Sequence, residues 1–284
     1  MKRYRDIVGD GGSNIVAQIG EQQTRLRRRF EAIRHTVAVV SGKGGVGKST
    51  IAANLSAALA ETGWRVGVLD ADLNGPTMAK MLGVRGRTLT VAAAGVAPPV
   101  TTLGVKVMSM DLLLASDATP LTWDAPTQDE AHTWRGTMEA NALREFLTDT
   151  DWGELDALII DLPPGTDRLA TLASLVPRLS GIIIVTIPSD VSQLVVRKSI
   201  TVASQTGAPI LGLIENMAGL FPGPDAEVLA RDGGIPFLGR VPFDALMAAC
   251  ADRGEAFITE ARDHEAARAL VEITAGIRSA IDSR

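Results

Sequence analysis

Residues 42–49 read Gly42-Lys43-Gly44-Gly45-Val46-Gly47-Lys48-Ser49, which fits G-x-x-x-x-G-K-[ST]. The octet lies between an apolar β-branched run, 36–41, and a helical pattern, 49–62, with Ile51, Leu55 and Leu59 at four-residue spacing and Gly63 as its stop. A strand, a glycine loop and a helix in that order form one βα unit. The glycines let the backbone curl with its N–H groups turned inward, and the helix adds its positive end. Such a loop suits a phosphate chain, with Lys48 bridging the β- and γ-phosphates and Ser49 ligating Mg²⁺. Chance alone would place this pattern in about one chain of this length in a hundred.

The rest of the chain repeats that alternation. Apolar runs at 65–70, 105–110, 157–161, 181–186, 209–215 and 236–241 read as strands, with helical patterns at 141–148, 189–205 and 264–281 between and after them. Strands that are apolar throughout lie in a parallel sheet covered on both faces. The expected fold class is therefore α/β, a doubly wound, mostly parallel sheet. At 284 residues and 46% hydrophobic composition the chain can build a full core, which excludes a disordered or fibrous chain. Two stretches break the rhythm. Residues 83–102, with Pro98-Pro99, read as a loop or an added hairpin, and 115–136 read as a long acidic loop carrying Trp123 and Trp134.

Net charge is −5, unevenly spread: residues 1–35 carry +4 and the remainder −9. Residues 1–34 are expected to form a basic arm ahead of a single domain over 35–284. The Arg25-to-Arg29 run has no interleaved aromatics to stack on bases, so a solvated helix is favoured over a nucleic-acid contact. The start is polar and no apolar run approaches membrane-spanning length, so neither a leader nor a span is expected and the location should be cytoplasmic. Cys250 is the one cysteine and sits in an apolar helical stretch, where it reads as a packed small hydrophobe. His35, His132 and His264 are scattered without ligand spacing.

Several segments carry a family resemblance. Lys43-Gly44-Gly45-Val46-Gly47-Lys48-Ser49-Thr50 resembles the deviant Walker A loop of the ParA/MinD/nitrogenase-iron-protein class, marked by its extra lysine. Leu69 to Pro76 resembles the D-A-D-x-x-G-P switch I of the Mrp/ApbC branch, and Asp161 to Thr166 its Walker B and switch II. Trp134 to Met138 with Leu143 to Leu147, Glu215-Asn216-Met217, and Gly239-Arg240-Val241-Pro242 are similar to further segments of that branch, over roughly residues 30–260. Its members are P-loop ATPases that carry and transfer iron–sulfur clusters.

The resemblance implies roles. Asp72 would position the attacking water, and as a carboxylate close to the γ-phosphate it has the chemistry to do so. Asp161, ending an apolar strand, would hold Mg²⁺ through water together with Ser49 and Asp72. Gly165 would offer its N–H to the γ-phosphate. Asn216, whose amide both donates and accepts, would read adenine beside Pro242, and the absence of N-K-x-D favours ATP over GTP. Gly42, Gly44, Gly45, Val46, Gly47 and Thr50 complete the loop around the phosphates. Lys43 would reach across an ATP-closed homodimer to the partner's nucleotide.

Two departures matter. The Cys-Pro-x-Cys usual in the branch is absent, because residues 219–225 read Gly-Leu-Phe-Pro-Gly-Pro-Asp. A dimer would offer two cysteines in all, against about four ligands for a four-iron cluster. After Pro163-Pro164-Gly165-Thr166 the branch commonly has Gly or Ser and then Asp, whereas this chain has Asp167-Arg168. The expectation is an ATP-hydrolysing homodimeric switch that serves a protein client with a metal centre and holds no bridging cluster. The alternatives are a ParA/MinD-like positioning ATPase and a regulatory ATP-binding subunit of low turnover.

Overall fold

The computed structural model describes residues 15–114, 128–165 and 167–283. Seven strands form one parallel sheet. In chain order they are β1 (Ile33–Ser41), β2 (Val66–Asp70), β5 (Lys106–Met108), β6 (Leu155–Asp161), β7 (Gly181–Thr186), β8 (Ile210–Ala218) and β9 (Phe237–Pro242), and across the sheet they run β5-β2-β6-β1-β7-β8-β9. β3 (Thr90–Ala92) and β4 (Gly95–Ala97) pair antiparallel, so the stretch at 83–102 contains the added hairpin.

The period of two in the strands divides the core. Val37, Val39, Val68, Ile159, Ile183 and Val185 face one layer, built from α2 (Lys48–Glu61), α3 (Met78–Met81), α8 (Ala245–Arg253), α9 (Phe257–Glu260) and α10 (Glu265–Asp282). Ala38, Val40, Leu69, Leu158, Ile160 and Ile184 face the other, built from α1 (Ile15–Glu31), α4 (Gln128–Asp149), α5 (Asp167–Leu175), α6 (Asp190–Gln205) and α7 (Ala226–Asp232). Every central strand is thus buried on both sides, which is why none shows a polar face in sequence. The stripe Leu270, Ile273, Ile277 and Ile281 on α10 packs into the first layer, as does Cys250. No helix among the described residues is long and apolar enough to cross a membrane.

Two expectations change. Residues 128–136 of the supposed acidic loop belong to α4, while 115–127 lie outside the described residues. The helix starts in a polar stretch, so its apolar signal begins only near Leu143. The division at 34/35 falls inside β1, and the helix ahead of it is not merely solvated: Leu26 and Phe30 are buried in the second core layer. Arg29 donates from Nε to the Thr148 carbonyl at 3.1 Å and from Nη1 to Asp151 at 3.1 Å, fastening α1 to the end of α4.

Truncating Phe30 to alanine should therefore cost about 3 kcal/mol in urea unfolding, as for other buried aromatics. An independent arm would give less than about 0.5 kcal/mol.

Candidate nucleotide site

The loop after β1 opens at the carboxyl edge of the sheet, between the strands that flank β1 on either side, where ligands bind in doubly wound folds. No backbone N–H from Gly44 to Thr50 donates to a protein acceptor among the described residues. The helix proper begins with Ile51 N–H donating to the Gly47 carbonyl at 3.0 Å. Gly47 caps α2 with φ of 77°, and a Cβ there would stand 2.2 Å from Asn216 Nδ2, so both conformation and space require glycine. Gly42 is equally confined, since a Cβ would meet the Val195 side chain of α6 at 2.7 Å.

Two neighbouring strands, β6 and β2, end in buried carboxylates beside this loop. Asp161 ends β6 with no exposed surface. It accepts from Lys48 Nζ at 2.5 Å on Oδ1 and from Ser49 Oγ at 2.5 Å on Oδ2. Lys48, expected on the phosphates, thus rests on the nearest buried carboxylate. Ser49 gives its proton to Asp161, and its oxygen accepts from Lys48 Nζ at 3.3 Å. Burial raises the Asp161 carboxyl above its ordinary pKa, Lys48 and Ser49 pull it down, and the Asp72 charge pushes it up again.

Asp70 stands beside Asp161 in the register of β2 and β6, equally closed to solvent. Its Oδ2 accepts from Thr77 N–H at 2.8 Å, Met78 N–H at 3.0 Å and Ser109 Oγ at 3.1 Å, and its Oδ1 from Asp72 N–H at 3.2 Å. It therefore folds the loop that carries Asp72, whose own carboxylate accepts from Gly75 N–H at 3.1 Å. In sequence Asp70 and Asp72 both follow a strand and so belong to the ligand-binding edge, but only Asp72 carries a catalytic expectation there. Burial, reinforced by the Asp161 charge, pushes the Asp70 carboxyl up to about 7 against those donors.

Gly165 N–H donates to the Ser41 carbonyl at 3.0 Å, extending the sheet ladder past its last strand residue rather than facing the loop. Asn216, at the end of β8, spends one amide N–H on the Val46 carbonyl at 2.9 Å and lies buried under the loop. The next residue, Met217, takes a left-handed φ of 56°, an unusual conformation for a side-chain-bearing residue. Pro242 pairs with Ala218 across β8 and β9, so it shares this edge. Lys43 is half-buried and forms no ion pair among the described residues, and its carbonyl accepts from Ser41 Oγ at 3.0 Å.

The structure thus gathers Lys43, Lys48, Ser49, Asp72, Asp161, Gly165, Asn216 and Pro242 on one edge. Cys250 stays in the core on α8. In residues 219–225, Leu220 and Phe221 are exposed. Asp225 caps α7, accepting from Glu227 N–H at 2.7 Å and from Arg240. Arg240 also meets Glu215 at 3.4 Å, so it clasps β9 to β8 and to the start of α7.

A buried lysine and a half-buried serine on an N–H-lined loop, facing two aspartates at the carboxyl edge of a parallel sheet, define a P-loop NTPase. The family described as ParA, NUBPL iron-transfer P-loop NTPase matches residues 32–278, and the chain belongs to it. An iron-sulfur cluster carrier protein of Saccharolobus solfataricus is 39% identical over 278 residues, 94% of this chain and 90% of that one. Another, from Methanocaldococcus jannaschii, is 42% identical over 248 residues, 83% and 82%. A nucleotide-binding protein from Archaeoglobus fulgidus, solved in complex with ADP, superposes with a TM-score of 0.68 at 35% identity, over 82% of this chain and 92% of that one. The cell division ATPase MinD of Pyrococcus furiosus shares the fold, with a TM-score of 0.66 at 23% identity, over 87% and 99%.

Asp70 gives a pH dependence with a definite sign. Its folded pKa, about 7, lies above the unfolded value of about 3.9. The stability it contributes is full below about pH 4 and is lost as pH rises through about 7. Asp70→Asn removes that titration. Without metal or nucleotide, the stability of Asp70→Asn relative to wild type should improve between pH 5 and pH 8 in urea titrations. A difference that stays constant with pH would contradict the buried, titrating Asp70.

Proposed function

We propose that the chain binds ATP and Mg²⁺ on this edge, hydrolyses ATP as a homodimer, and serves iron–sulfur protein maturation without holding a bridging cluster of its own. The observation that carries the nucleotide reading is the run of N–H groups from Gly44 to Thr50 with no protein acceptor among the described residues. They lead into the positive end of α2, a site made for an anion chain. The maturation role rests on relatives named iron-sulfur cluster carrier proteins.

The groups offered to the metal, the Ser49 hydroxyl and the Asp161 and Asp72 carboxylates, are all oxygen, which suits Mg²⁺. When bound, Mg²⁺ would neutralise phosphate charge. Lys48 would exchange Asp161 for the β- and γ-phosphate oxygens. Asp72 would orient water at the γ-phosphate, and the Gly165 N–H would leave Ser41 to sense that phosphate. Asn216 and Pro242 would border the base. Lys43, which forms no ion pair among the described residues, would supply its charge to the partner's nucleotide, as a finger given in trans.

Calorimetry and steady-state turnover test these roles. Lys48→Ala should lose measurable ATP binding, since phosphate charge is left uncompensated. Asp72→Ala should bind ATP yet hydrolyse it about 10²-fold or more slowly. Lys43→Ala should bind as a monomer and turn over poorly. Unchanged affinity in the first variant or unchanged rate in the second would remove the assignment concerned.

The cargo statement follows from a ligand count. Residues 219–225 hold no cysteine, Asp225 there is engaged as a cap, and the one cysteine, Cys250, is buried in the core. Anaerobic reconstitution with iron and sulfide, followed by desalting, should leave less than about one iron per dimer. About four irons with broad visible absorption would overturn it.

A further inference from the structure

Glu139 lies in the middle of α4, only 6% exposed. Its Oε1 accepts from Asn74 Nδ2 at 2.8 Å, and its Oε2 accepts from Arg168 Nη2. Asn74 stands two residues after Asp72 in the loop from β2 to α3. Arg168 stands three residues after Gly165, in the first turn of α5. One buried carboxylate therefore joins the segment that carries the water-orienting aspartate to the segment that carries the phosphate-sensing glycine. All five residues line one cavity of about 340 Å³, with Leu162 and Pro164 in its wall.

Chemistry favours a tie of some stiffness. Hydrogen bonds to an ionised carboxylate are the stronger kind, and a buried one has little water to exchange with. Arg168 is one of the two residues at which switch II departs from the pattern it otherwise resembles. Its guanidinium hydrogen-bonds Glu139 alone among the described residues.

We propose that Glu139 is a positioning residue which couples the Asp72 loop to the Gly165 segment through Asn74 and Arg168, so that the two loops shift together. The coupling rests on the roles proposed for Asp72 and Gly165. Its test separates the two levels by reading loop order as well as turnover.

Hydrogen exchange on the full chain, with and without ADP, is compared between wild type, Arg168→Ala, Arg168→Lys and Glu139→Gln. Arg168→Ala should speed exchange about tenfold at residues 71–77, on the far side of Glu139, and Arg168→Lys should restore much of the protection. Its kcat for ATP should fall about tenfold while KM stays within about twofold. Asn74→Ala combined with Arg168→Ala should be no worse than the more severe single variant, because both break one tie. Arg168 is one-third exposed, so its variants remain informative even where Glu139→Gln fails to fold. Faster exchange confined to residues 167–175, or kcat losses that multiply in the double variant, would overturn the coupling. The exchange arm decides the tie whether or not the wild type turns ATP over.

Discussion

The pairing of Lys48 with Asp161 governs the site. A lysine and a carboxylate, both almost closed to solvent, stand 2.5 Å apart where β6 ends, with the Ser49 hydroxyl on the second carboxylate oxygen. Burying either charge alone would cost several kcal/mol. Each is held by the other, and the loop between β1 and α2 takes its shape around the pair. An anion entering that loop competes with Asp161 for the same ammonium. A cation accepted by Asp161 and Ser49 would release Lys48 to the anion, which gives a physical reason for nucleotide and Mg²⁺ to bind together.

Sheet register brings the other groups to this pair. Asp70 and Asp161 are partners across β2 and β6, so their carboxyls crowd at one depth, and the Asp161 charge adds to burial in raising the Asp70 pKa. Asp70 relieves the crowding by collecting donors from Thr77, Met78 and Ser109, and in doing so fixes the path of the Asp72 loop. On the other flank Asn216 holds Val46 from below, and Gly47 leaves the room for it. The loop is thus braced from β2 and β6 on one side and from β8 on the other.

The sequence made much of this legible, for physical reasons that differ by residue. Strands 181–186 and 157–161 were readable because both faces are buried and the residues are apolar without interruption. The phosphate loop was readable because its chemistry needs glycine, lysine and serine at fixed spacing. The start of α4 was hidden, since polar residues at a helix beginning look like a loop. Leu26 and Phe30 lie in a run of arginines whose charge masked a buried face. The partners chosen by Lys48, Gly165, Asn216, Glu139 and Arg168 depend on contacts more than a hundred residues apart in several cases, and no local pattern encodes them.

The most direct test of the buried pair is a crystal structure of the chain with ADP and Mg²⁺. The ammonium of Lys48 is expected on the β-phosphate, more than about 3.5 Å from both Asp161 carboxylate oxygens. A structure with ADP in the loop and Lys48 still hydrogen-bonded to Asp161 would contradict the exchange on which the nucleotide site depends.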